Sequence, residues 1–156
     1  MRDTLRDELL QMATDDQAVR RAQEDSRLVD ERNVERLKRI VAENGWPGPS
    51  LVGEEGAQAA WCIVQHSPDR RFMAECLEHV RVAVEGAEAS PTNLAYLEDR
   101  VRMFRGESQL YGTQFVERDG TYEPWPIEDP AGLDERRAAV CLGPFAEYER
   151  HIKTLR

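Results

Sequence analysis

The sequence predicts a mainly α single domain over residues 1–156, a helical bundle of about six or seven helices with one small β-hairpin near residues 114–123. Three observations predict it. Apolar residues recur at spacings of three and four through most of the chain, the signature of helices with one buried face. Asn, Gly and Pro interrupt those stripes at helix-length intervals. A single stretch departs from this pattern, two short extended runs flanking Asp119-Gly120, a dipeptide suited to a two-residue hairpin turn.

The elements follow in order. Leu5, Leu9 and Met12 share one face of a first helix, and Asp15 and Asp16 mark either its continuation or the cap of a second helix through Val19 and Ala22. Asp30 reads as the N-cap of a helix carrying Val34, Leu37, Ile40 and Val41, stopped by Asn44-Gly45. Trp46-Pro47-Gly48-Pro49 reads as non-helical, because each proline restricts its predecessor. Gly53 to His66 is apolar on most sides, which marks the central helix. Pro68-Asp69 restarts the chain into a stripe of Phe72, Met73, Cys76, Leu77, Val80 and Val84. Ser90-Pro91 opens a helix through Leu94, Leu97, Val101 and Phe104. After the hairpin, Asp134 reads as the cap of a helix through Val140, and Gly143-Pro144 precedes a last helix with Phe145, Tyr148 and Ile152.

The charge balance narrows the partners. With 21 basic and 30 acidic residues the net charge is -9, and no run of positive charge offsets it. Such a surface repels phosphate backbones, so neither nucleic acid nor an anionic membrane is an expected partner. No apolar run reaches the roughly 20 residues a membrane span requires, and the acidic start resembles no secretory signal. Three widely spaced cysteines, Cys62, Cys76 and Cys141, suggest no disulfide framework and fit a cytoplasmic location. The oligomeric state is open.

No nucleotide-binding glycine loop, nucleophile elbow or metal-ligand pair is present, so neither a cofactor nor a metal is expected. His66 is the leading acid/base candidate, because imidazole titrates near neutrality and ends the most apolar helix. The plainer reading of the residue alone is a helix C-cap whose cation the dipole favours. Asp99-Arg100 lies mid-helix, either as a solvated pair or as an inward acid with a guanidinium clamp for a carboxylate or amide. Gln109-Leu110-Tyr111-Gly112-Thr113-Gln114 is polar without charge, which suits either a polar ligand or a loop satisfying buried backbone groups. Gln65 and Trp46 complete the candidate binding set, although tryptophans at such positions more often serve the core.

Several segments taken together resemble a known family. They are Asp16-Gln17, Gly45-Trp46-Pro47, Gly53, Ala60-Trp61, Gln65-His66, Asn93 to Arg100, Gly106, Gln109 to Gln114, Asp134 with Arg136-Arg137, and Leu142-Gly143. Their order resembles DUF6624, a family of small bacterial proteins of unknown function, over nearly the whole chain. The chain departs from it where Phe72 is followed by Met73 rather than Gln. The resemblance transfers no activity. It implies that His66, Asp99, Arg100, Tyr111 and Gln114, on separate segments, share a pocket.

Two functions are compatible with this reading. One is a cofactor-independent enzyme acting on a polar small molecule or peptide by elimination, addition, cyclisation or hydrolysis. There His66, Asp99 and Tyr111 are catalytic, and Gln65, Arg100, Gln109, Thr113, Gln114 and Trp46 bind substrate. The other is a non-catalytic accessory module that holds a peptide or protein, for instance along the hairpin edge.

Overall fold

Burying the predicted stripes produces seven α-helices and one two-stranded antiparallel sheet in the computed structural model, which describes residues 1–155. The chain divides into two compact units, Met1–Ser90 and the part from Pro91 onward. Among the described residues no helix is long and apolar enough to cross a membrane.

The first unit is four helices, α1 (Asp3–Arg21), α2 (Arg27–Asn44), α3 (Pro49–Gln65) and α4 (Arg70–Glu85). As expected for the most apolar helix, α3 packs against the other three. Its core face presents Val52, Ala59, Ala60, Ile63 and Val64, and Leu9 and Met12 of α1 with Leu37, Ile40, Met73, Leu77 and Val80 complete the core. Helices α1 and α3 run parallel in a steady register. The Arg2 amide donates to the Leu51 carbonyl at 2.7 Å, Gly56 lies against Arg6, and Asp16 meets His66 at the far end.

One open alternative is settled here and two local expectations are corrected. Helix α1 runs unbroken through Asp15-Asp16, because Asp16 continues the buried face of Leu9 and Met12 rather than capping a new helix. Helix α2 starts at Arg27, so Asp30 lies in its first turn and binds Ser26 and Arg20 instead of capping. Helix α3 starts at Pro49, where a missing N–H costs nothing, and breaks at Gly53, whose φ of 72° lies in the left-handed region. Asp69 is the N-cap of α4, its carboxylate accepting the Phe72 amide at 2.9 Å.

The second unit begins with α5 (Pro91–Phe104). It continues through strands β1 (Phe115–Arg118) and β2 (Thr121–Pro124), a 3-10 turn at Pro130–Gly132, then α6 (Leu133–Ala139) and α7 (Phe145–Thr154). The hairpin pairs Phe115 with Pro124 and Arg118 with Thr121. Asp119 and Gly120 both take positive φ, as a two-residue turn requires. Asp134 is again no cap. The 3-10 turn feeds directly into α6, so Asp134 lies in the first turn and accepts the Phe145 amide at 2.8 Å, tying α6 to α7.

Candidate functional site

An acid on a helix's buried stripe must find a partner, since burying a lone carboxylate is costly. Asp16 follows Leu9 and Met12 on the inner face of α1, and its side chain is only 2% exposed. Its partners are His66 and Arg20. Oδ2 lies 2.9 Å from His66 Nδ1, Oδ1 lies 3.2 Å from Arg20 Nε, and Gln17 Nε2 donates to Oδ2 at 3.1 Å. Arg20 also reaches the Ser26 hydroxyl at 2.9 Å and Asp30 Oδ1 at 2.8 Å, and the Ser26 hydroxyl donates to Asp30 Oδ2.

His66 Nδ1 faces two groups. The Arg20 Nε–H donates toward it at 3.2 Å, whereas the approach of Arg20 Nε to Asp16 Oδ1 is an ion pair without a hydrogen bond. Asp16 Oδ2, 2.9 Å away, instead favours a hydrogen on Nδ1, so these two neighbours compete to set the ring's tautomer. Nε2 makes no hydrogen bond to a described residue, and the His66 side chain is 27% exposed. His66 is also the C-cap of α3, its backbone N–H bonding to the Cys62 carbonyl. The C-cap position expected for His66 is thus occupied through its backbone, while its ring faces Asp16. Neighbouring Gln65 is buried, and its Nε2 has no hydrogen-bond partner among the described residues. Trp46 is half-buried in the turn before α3, where its carbonyl accepts the Gly48 amide.

The candidate residues of the second unit form a different construction. Asp99 on α5 is fully buried, and its carboxylate collects a loop. Oδ1 accepts the Leu110 and Tyr111 amides at 2.7 and 3.1 Å. Oδ2 accepts the Thr113 amide at 3.0 Å and the Thr113 hydroxyl at 2.9 Å. Burial pushes the Asp99 carboxyl above the usual carboxylate range, with the bonds from Thr113, Leu110 and Tyr111 opposing that rise. From the other side, Arg136 donates to the Leu110 carbonyl at 2.8 Å and Arg137 to the Tyr111 carbonyl at 2.7 Å. Arg137 is almost wholly buried and lies over the Tyr148 and Phe145 rings.

Gln109 closes the same loop. Its Nε2 donates to the Gln114 and Trp125 carbonyls at 3.0 and 2.7 Å, and its Oε1 accepts the Gln114 amide at 2.9 Å. Gln114 Nε2 in turn donates to Thr113 Oγ1. Gly112 is required twice over, by a φ of 66° and because a Cβ would lie 2.8 Å from the Phe145 ring. The polar groups of Asp99 and Gln109 are therefore engaged in holding backbone, and the Thr113 hydroxyl in bonding the Asp99 and Gln114 side chains. Arg100 is half-buried and lies over the Phe104 ring. Tyr111 is half-buried.

Of the sequence-predicted residues, Gln65, His66 and Trp46 belong to the first unit, while Asp99, Arg100, Gln109, Tyr111, Thr113 and Gln114 belong to the second. The acid that meets His66 within its own unit is Asp16, which sequence reasoning left as a possible cap. The available signal was its position, four residues after Met12 on the apolar stripe. Arg136 and Arg137 were likewise passed over as organisers of the loop. Among the described residues no group of three or more His, Cys, Asp or Glu side chains is placed to hold a metal ion.

Comparison with known proteins agrees with the order of these segments. A family model described as "Family of unknown function (DUF6624)" matches residues 3–155. No match is found among curated proteins or solved structures. The chain belongs to the DUF6624 family.

Proposed function

We propose that this DUF6624 protein is a small enzyme that performs acid/base chemistry with the Asp16–His66 pair on a polar small molecule or peptide. The observation that carries the reading is the 2.9 Å contact between a buried carboxylate and the Nδ1 of a partly exposed imidazole. In this reading Nδ1 carries the hydrogen and donates it to Asp16, which orients the ring and leaves Nε2 to exchange a proton with substrate. When Nε2 takes that proton, Asp16 stabilises the imidazolium, and the proton then returns to product. Arg20 balances Asp16 and Asp30, so the charge at Asp16 does not depend on His66 alone. The orienting role falls to Asp16, while Asp99 positions the 110–113 backbone. No cofactor is invoked.

A second reading, a non-catalytic peptide- or protein-binding module, is favoured by the second unit. There the unusual polar residues build a rigid loop leading into a short hairpin rather than presenting free reactive groups. The test is a mass-spectrometric search for product in mixtures of short peptides and polar metabolites. The enzyme reading expects product from the wild type, none from His66→Ala, and a reduced rate from Asp16→Asn, with all three equally folded. Equal turnover by His66→Ala, or ligand depletion without product, contradicts it and leaves the binding module.

A further inference from the structure

Beside the Asp16–His66 pair, α1 and α3 enclose an open groove of about 860 Å³, within the range of sites that hold ligands. Its floor includes Leu10, Ala13, Ala59 and Cys62, and Gln17 on its wall is the residue that bonds Asp16. Three charges stand on its rim, Glu54 and Glu55 at one end and Arg21 at the other. None of them forms an ion pair or side-chain hydrogen bond among the described residues, in a unit where Glu8, Asp15, Asp16, Asp30 and Asp69 are all paired. The parallel register places the acidic end near the start of α1 and the basic end beside the pair.

We infer that this groove binds a short extended peptide, its cationic amino end between Glu54 and Glu55 and its free carboxylate at Arg21, beside His66. This deepens the proposed enzymatic reading and rests on it for the substrate's chemistry. An apolar floor with opposite charges at its ends complements a zwitterion that carries apolar side chains. Helix rise sets the two ends roughly 20–25 Å apart, and about six extended residues cover that distance. A single amino acid is too short to engage both ends. The reacting bond then lies near the peptide's carboxyl end, where Gln17 links groove and pair.

The experiment uses the full chain carrying His66→Ala to prevent turnover and Cys141→Ser to remove the exposed thiol. The probe is the hexapeptide Lys-Ala-Leu-Ala-Leu-Gly with free termini, followed by calorimetry and by the rate of Cys62 alkylation at alkaline pH. Binding is expected, with Cys62 alkylation slowed several-fold. Glu54→Gln with Glu55→Gln should weaken binding about tenfold or more, and Arg21→Gln should do so for the free acid but not for the amidated peptide. Absence of binding, unchanged Cys62 alkylation, or binding indifferent to all three substitutions overturns the inference. The outcomes separate the two claims. Turnover of another substrate through His66, without peptide binding, removes the groove assignment and keeps the acid/base pair. Peptide binding without any His66-dependent turnover does the reverse.

Discussion

Asp16 and His66 stand fifty residues apart in sequence, and Asp16 Oδ2 lies 2.9 Å from His66 Nδ1. The carboxylate is buried, and the ring is partly exposed. This asymmetry gives the contact its chemical character. An exposed pair exchanges partners with water and is worth little. A buried acid holding a half-exposed imidazole fixes the ring and leaves its outer nitrogen to the solvent side.

Replacing Asp99 by Asn should destabilise the second unit by about 2–4 kcal/mol, because an amide NH₂ would face backbone donors that now converge on a carboxylate. The sign of its pH dependence follows from its raised pKa. Between the unfolded and folded values the native state binds more protons, so this group's contribution is full below the unfolded value and falls as pH rises through the folded one. Urea unfolding across mildly acidic pH should show that slope in the wild type and not in Asp99→Asn.

Arg137→Lys should not preserve stability, although it keeps the charge. The guanidinium spans the Tyr111 and Gly143 carbonyls, each at 2.7 Å, while lying over two rings. An ammonium cannot reproduce that fork, and the expected loss is about 1–3 kcal/mol in denaturant unfolding. Stability equal to the wild type would mean that the loop does not depend on this clamp.

Asp69 should contribute to acid sensitivity with the opposite sign to Asp99. The Lys38 ammonium, and then the Phe72 amide, hold its carboxyl below the usual range. Its contribution is therefore present above the unfolded value and lost as pH falls through the lower folded one. Thermal unfolding of wild type and Asp69→Asn should differ near neutrality and converge in acid. Asp69→Ala should cost about 1 kcal/mol more at every pH, because it removes the N-cap acceptor as well.

The helices were legible because burial dictates their periodicity. The Asn44-Gly45 stop and the Asp119-Gly120 turn were legible because few residues suit those backbone angles. Asp30 and Asp134 misled for one shared reason. Each is a good cap by type, but each carboxylate lies within the first turn of its helix and binds a distant donor. The candidate site was half legible. His66 stood out by type and by its place at the end of α3. Its partner did not, because an acid on an apolar stripe reveals burial and not which of several distant segments meets it. The Tyr-Gly-Thr-Gln segment stood out as polar and uncharged, yet only folding shows that Asp99 and Gln109 bond its backbone.

The most direct test of the central claim is the tautomer of His66, read from its two ring nitrogens by long-range proton–nitrogen NMR on the neutral imidazole. The account predicts that Nδ1 carries the hydrogen and Nε2 the lone pair, and that Asp16→Asn weakens this preference. A neutral ring carrying its hydrogen on Nε2 in the wild type, unaltered by Asp16→Asn, would contradict it.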